Sequence, residues 1–326
     1  MAERGKLLTH DLQAAQPTVR LSLTRAGVTG VSKAIRVSQE GHQTVMAADI
    51  ECTVDLRRSQ KGVHMSRFPE LFEEAIETVV GTEALLVETL AEHIASHIVR
   101  RQRALRAEVR ITARWPVRRI TPVSRLSTQE MVSLVGIAAA SQDGVRRVVG
   151  VEVTGINACP CAQGLVRGHA AERLADAGFD EGDVDRILEL VPLATHNQRG
   201  RGTVYVGTDF QLDATDLMRV VEASMSAPIY ELLKRPDELF VVEHAHLQPR
   251  FVEDSVRLSL AGALEALPEL TDEDFLFARQ LNFETIHAHD VLAERSGTVG
   301  ELRRELETGE LPEQHTLLAD WLRIPV

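Results

Sequence analysis

The sequence predicts an α+β fold made of two tandem units, each running strands, paired helices, strands. Three observations carry this. Segments that alternate apolar and polar residues recur along the chain, apolar stripes at three-to-four spacing lie between them, and the order repeats after a polar break at Gln142–Gly144. The first unit is expected at 1–143 and the second at 144–326, with a helical insertion at about 168–191 and a C-terminal extension.

The elements follow from local pattern. Alternation at Thr18–Val28, Val31–Val37 and Thr44–Asp55 predicts strands. Cys52 shares the apolar face of the last of these, which is the place of a small core residue. From Pro69 to Arg103 the stripes Leu71, Ile76, Val79, Val80 and then Leu85, Leu86, Leu90, Ile94, Ile98 predict helix, bent or broken at Gly81. Strands are expected again from Leu105 to Trp115 and around Met131–Ala139. In the second unit, Val145–Thr154 and Thr203–Leu212 read as strands, Asp216–Ser226 and Phe251–Leu267 as helices, and Asp274–Phe283 as a strand. His169–Val191 forms the helical insertion, with a solvated acidic surface. The segment after Gly300, with Leu302, Leu306, Leu317, Leu318, Trp321 and Leu322, is expected to pack on the core or on a partner.

Composition bounds the function. At 326 residues and 44% hydrophobic content the chain can bury a substantial core. A net charge of -12 argues against nucleic acid as a bulk partner, because a phosphate backbone needs a basic surface; a single nucleotide needs only a local basic pocket. No apolar run reaches the roughly 20 residues of a membrane span. The N-terminal stretch has no apolar signal core, so a cytoplasmic protein is expected. Three cysteines are too few for a disulfide framework and suit a ligating or catalytic thiol in a reducing compartment.

Two remote strings bear chemistry: Asn157-Ala158-Cys159-Pro160-Cys161-Ala162-Gln163 and Thr195-His196-Asn197-Gln198-Arg199-Gly200, both expected in polar loops. With Asn282-Phe283-Glu284-Thr285-Ile286-His287-Ala288-His289 they supply thiolate, imidazole and carboxylate, the ligand mixture of an open catalytic metal site. Buried structural thiols are the competing explanation. Glu284 and His287 share a face on a helix, whereas on a strand His287 aligns with His289 instead; a bend lets both contribute. His244-Ala245-His246 reads as polar surface. Ser66 suits the N-cap of the helix after Gly62-Val63-His64-Met65-Ser66-Arg67-Phe68, where an anion can also be held, with His64 and Arg67 beside it. Arg199 and Arg201 could hold phosphate oxygens. Glu238 and Glu253 lie at element boundaries, where acids are favoured electrostatically; a carboxylate at 253 can also accept two N–H donors from an amino-pyrimidine edge.

Taken together, GVHMSRF (62–68), ACPCAQG (158–164), VPLATHNQRG (191–200), LLKRPDE (232–238), FVEDSVR (251–257) and NFETIHAH (282–289) resemble the type IB GTP cyclohydrolases, above all their archaeal-type branch. The segment between the cysteines and the His-Asn-Gln-Arg string points to that branch rather than the bacterial one. The resemblance implies a tunnelling fold (T-fold), in which each unit is a four-stranded antiparallel sheet plus two helices and barrels close by oligomerisation, here as a homotetramer. It implies a metal, Fe(II) with Mn(II) or Zn(II) possible in relatives, held by Cys159, His196, His287 and a carboxylate from Glu238 or Glu284. It further implies Glu284 as proton shuttle, Glu253 as anchor of the guanine edge, and His64, Arg67 and Arg199 at the phosphates. The implied reaction opens the purine of GTP, releases formate and forms 7,8-dihydroneopterin 2',3'-cyclic phosphate for methanopterin synthesis. The alternatives are a bacterial-type enzyme that keeps the triphosphate for folate, and a non-catalytic barrel in which metal staples subunits.

Overall fold

The computed structural model describes residues 12–39, 42–80, 86–102 and 104–323. One antiparallel sheet organises them. Its strands are β1 (Leu23–Gln39), β2 (His42–Leu56), β3 (Arg106–Ile120), β4 (Ser127–Ser141), β5 (Val145–Ala158), β6 (Asn197–Gly207), β8 (Phe275–Asn282) and β9 (Val291–Thr298), in that spatial order, with the short β7 (Ala227–Pro228) paired to β5. Helices α1 (Arg67–Val80) and α2 (Val87–Gln102) fall between β2 and β3. Between β6 and β8 come α5 (Ala214–Ser224), α6 (Arg235–Leu247) and α7 (Val252–Ala266). The sheet runs unbroken between the halves, β4 meeting β5 from Ser133↔Glu152 to Ala140↔Val145. Among the described residues it does not close on itself: β1 and β9 are its two edges.

Period-two burial explains the layers. In β3 the residues Ala107, Val109, Ile111, Ala113 and Trp115 are buried toward the helices, with Val149, Val151 and Val153 of β5 and Val204 and Val206 of β6 in the same core. Ile94, Ile98 and Ala91 of α2 and Leu217, Val221, Val256 and Leu260 of α5 and α7 close that core. Cys52 is fully buried there, and burial, reinforced by the charges of Glu108 and Glu51, pushes its thiol pKa up. The opposite face carries a second, smaller cluster: Val135, Ile137, Val148 and Phe275 are covered by Trp321 and Leu322 from the C-terminal helix α9 (Leu318–Trp321). Trp321 donates its indole N–H to the Glu273 carbonyl at 2.9 Å, and the Arg146 guanidinium lies 4.8 Å from its ring centroid. The C-terminal segment therefore packs on the core from both sides, with Leu302 of α8 (Val299–Thr308) on the helix face, while Leu306 and Leu317 are exposed.

Several boundaries differ from the sequence expectation. The two segments Thr18–Val28 and Val31–Val37 are one strand starting at Leu23; the break between them is a register shift in which Gly30 adopts φ +69, a conformation that suits glycine. Gly81 and Leu85 lie outside the described residues. The cysteine string is no loop: β5 runs to Ala158, Cys159 caps α3 (Pro160–Asp176), and α4 (Glu181–Leu190) follows, so the insertion begins at 160 rather than 168. Pro160 at the first helical position explains the start, because its missing N–H is an orphan there anyway. The His-Asn-Gln-Arg string is likewise strand from Asn197 onward, and β6 ends at Gly207, before Leu212. His244 and His246, read as polar surface, lie half-exposed on α6.

Two cross-half contacts fix the second half against the first. Arg119 of β3 pairs with Glu222 of α5 and with Glu130, all three largely shielded. Asp237 of α6 is fully buried and accepts from Val123 N, Ser124 N, Ser124 Oγ and Lys234 N. Burial alone would raise its pKa, but these donors outweigh it and hold the carboxyl well below the usual range. No helix among the described residues is long and apolar enough to cross a membrane.

Candidate active site

The ends of β5, β6 and β8 and the start of α7 meet at one rim of the sheet, and a cleft of about 260 Å³ opens there. Cys159, His196, Gln198, Glu253, Glu284, His287 and His289 line it. Backbone bonds set the frame: Cys159 N to His196 O at 3.1 Å, Arg250 N to Ala158 O at 2.9 Å and Phe283 N to Arg199 O at 3.0 Å. Thr195 Oγ1 adds a bond to the Cys159 carbonyl at 2.7 Å. Cys159 thus sits between a strand and a helix N-terminus, its sulfur accepting from Ala162 N at 3.5 Å.

Beneath the rim lies a buried polar network. Asn157 donates to Ser255 Oγ at 2.8 Å, Gln280 donates to Asn282 Oδ1 at 2.9 Å, and Gln280 Nε2 stands 3.4 Å from Asn157 Oδ1. The network leaves no room above Gly200, where a Cβ would lie 2.4 Å from Gln280 Nε2 and 2.7 Å from Asn282 Oδ1. Its members satisfy one another, which a low-dielectric interior requires, and so they rigidify the strand ends that carry the site.

Gln198, within the His-Asn-Gln-Arg string, joins two of the candidate residues. It is buried, its Nε2 donates to Glu284 Oε1 at 3.0 Å, and its Oε1 lies 3.1 Å from His196 Nδ1. A carboxylate only accepts, so the amide must turn its NH2 toward Glu284, which leaves Oε1 to accept the Nδ1 proton of His196. His196 then keeps a lone pair on Nε2, the tautomer of a ligand or base. Glu284 Oε2 is buried with no hydrogen-bond partner among the described residues; at 3.7 Å from His196 Nδ1 it is beyond hydrogen-bond reach. The chain bends after β8, which brings Glu284 and the exposed His287 to one cleft; the His287 and His289 rings stack with centroids 5.3 Å apart.

Other predicted residues fall elsewhere. Glu238 is exposed on the first turn of α6 and does not line this cleft. His64 and Arg67 stand at the start of α1, also outside it. Arg199 and Arg201 face the opposite side of the sheet and line a larger cleft of about 1180 Å³ with Arg114, Phe283 and Thr285. Among the described residues no three His, Cys, Asp or Glu side chains stand close enough together to hold a metal ion. The donor set still fits one chemically. Sulfur, imidazole and carboxylate on one rim suit a borderline divalent ion, and the orphaned Glu284 Oε2 is a buried oxygen in need of a cation or a proton.

Residues 9–293 match the family model described as Type I GTP cyclohydrolase folE2. The chain belongs to the type I GTP cyclohydrolase family. "GTP cyclohydrolase MptA" of Methanococcus aeolicus is 40% identical over 306 residues, covering 91% of this chain and 99% of that protein. The protein of the same name from Methanosarcina acetivorans is 38% identical over 307 residues, with 91% and 96% covered. Among solved structures, uricase from Arthrobacter globiformis aligns at TM-score 0.51 and 9% identity over 91% of this chain and 98% of its own; that likeness concerns the fold, the T-fold, and nothing more. As a GTP cyclohydrolase the chain is a hydrolase acting on GTP, and the rim cleft is the place where its candidate residues gather.

Proposed function

We propose that this GTP cyclohydrolase is metal-dependent and converts GTP to 7,8-dihydroneopterin 2',3'-cyclic phosphate with release of formate, the entry to methanopterin synthesis. The observation that carries the reading is the Gln198-linked pair of His196 and Glu284 beside Cys159 in one cleft. The names of the methanogen relatives support the archaeal-type outcome. Cys159, His196 and His287 would hold the ion, with Glu284 as the carboxylate on the same rim; Glu238 could ligate only from another copy of the chain. When bound, the ion supplies Lewis acidity and lowers the pKa of water toward neutrality.

The chain's own groups do the rest. Glu253, on the first turn of α7, accepts the N–H donors of the guanine edge and sets the purine's C8 toward the rim. Glu284 takes a proton from the water that adds at C8 and returns it to the ring nitrogen as the C–N bond breaks. Gln198 keeps His196 and Glu284 in register through these transfers. Formate leaves, the sugar opens and rearranges, and the new ring closes; the 2'-hydroxyl of the resulting side chain then attacks the α-phosphorus, and diphosphate leaves as the cyclic ester forms. Arg250, the arginine that lines this cleft, spends its guanidinium on the Ala223 and Met225 carbonyls and on Gln248 Oε1, so the phosphates need further cations. His64, Arg67 and Arg199 would serve from a neighbouring copy in a closed oligomer, the homotetramer that the resemblance implies.

Anaerobic loading with Fe(II), incubation with GTP and mass measurement of the pterin is the test. A cyclic monophosphate and one formate per turnover are expected. A product retaining three phosphates overturns the archaeal-type outcome, and equal turnover with and without chelator overturns the metal.

A further inference from the structure

Among the described residues, helix α3 fully buries none of its 17 residues; only Pro160, Ala162, Gln163, Ala170, Ala171 and Leu174 are half-buried. Isolated helices of that length are marginal in water, and packing of one face normally supplies their stability. Two features make this worse if nothing else touches the helix. Gly164 and Gly168 lie in its interior, where each costs about 1 kcal/mol relative to alanine; a Cβ at either would meet nothing within 4 Å. This chain's own packing therefore gives no reason for them. Leu165, on the same side, is 73% exposed, and Phe179 just beyond the helix is 45% exposed.

The charges say what fits. Arg167 turns inward and donates to the Leu188 carbonyl at 3.2 Å. Glu172, Arg173 and Asp176 are exposed and make no ion pair among the described residues. Laid antiparallel on a copy of itself about a two-fold axis between Glu172 and Arg173, the helix sets Arg173 against Glu172 and His169 against Asp176, each pair made twice. The same register sets Gly168 beside Ala177, where two small residues let the backbones come close, and carries Leu165 past the end of the partner helix to its Phe179–Asp180 turn. This self-complementarity is the requirement of an isologous contact.

We infer that α3 is a self-association helix that docks on α3 of a second copy of this chain. The contact is separate from the closure of the sheet edges and independent of the catalytic proposal. The α3–α4 hairpin leaves from Cys159 and returns to His196, so docking ties two cleft rims together.

Sedimentation of the full chain tests this without any turnover assay. Leu165→Glu, and separately Arg173→Glu, are expected to reduce the assembly mass about twofold. Circular dichroism and melting temperature should hold, since neither side chain touches the core. Combining Arg173→Glu with Glu172→Arg in one chain should restore the mass. Unchanged mass in both single variants overturns the inference, whether the face is bare or reserved for a different protein. Failure of the double reversal to restore assembly overturns the antiparallel register.

Discussion

Each half of the sheet sets helices between two pairs of strands, yet the halves handle buried polarity in opposite ways. In the second half, Asn157, Gln198, Gln280, Asn282 and Ser255 are all buried and bond to one another or to Glu284, and the cleft rests on them. In the first half, Glu88 on the first turn of α2 is 2% exposed, and neither carboxyl oxygen has a hydrogen-bond partner among the described residues. Burial pushes its pKa up to about 7; the nearby N–H of its own backbone and Arg147 oppose the rise, and Glu92 adds to it. One half holds a satisfied network that orients catalytic groups, the other a lone acid that the fold prefers neutral. The lesson is that a shared frame does not fix what its interior is used for.

That contrast can be broken most sharply at Glu284. Glu284→Gln keeps the shape and removes the proton acceptor, so kcat should fall roughly 10²–10⁴-fold while the melting temperature moves little. A variant with near-normal turnover would show that the orphaned oxygen has no part in the chemistry.

Glu88→Gln probes the other half. Below about pH 4.5 both folded and unfolded chains hold the proton. Between there and about pH 7 only the folded chain does, so native stability falls as pH rises, and above pH 7 the loss is complete. The loss amounts to at most about 3 kcal/mol. The glutamine variant should therefore lose this pH slope and melt higher than the parent at pH 8, as followed by denaturant midpoints across pH 4–8. An unchanged slope would place the acid in a wetter setting than its burial indicates.

The smallest effect is expected at Asn157. Asn157→Ala strands Ser255 and Gln280 and should cost about 1–3 kcal/mol. Nothing ionisable is lost, so the cost should be the same at pH 5 and pH 8. A pH-dependent cost would mean that the network is coupled to Glu284 more tightly than its bond pattern shows.

Much of this architecture was legible in the sequence, and the failures have physical causes. Alternation located β3, β4 and β5 because their helix-facing residues are mostly apolar, with Arg119 and Arg147 among the exceptions. It missed the first residues of β6, since Asn197, Gln198, Arg199 and Gly200 are poor strand formers, placed there by pairing with Asn157 and Asn282 on either side. The start of α3 was hidden because cysteine is not among the usual capping residues, and a helix that fully buries no residue leaves no apolar period to read. β9 and α6 had no expectation at all: β9 is a short edge, and α6 buries only Asp237, Val241 and Ala245. The motif strings located Cys159, His196, Glu253, Glu284 and His287. They could not reveal that Gln198 joins two of them, because a glutamine in a polar string has no signature beyond its neighbours. Glu238 shows the converse: its motif was noticed, while the residue that the fold buries there is its neighbour Asp237.

Trp115 is 6% exposed on the helix side of the sheet and Trp321 is 7% exposed on the other, and the chain has no further tryptophan. Each layer thus has its own fluorophore. With Trp115→Phe or Trp321→Phe, emission from the remaining indole would report the melting of one layer alone, and could tell whether the C-terminal strap lets go before the main core does.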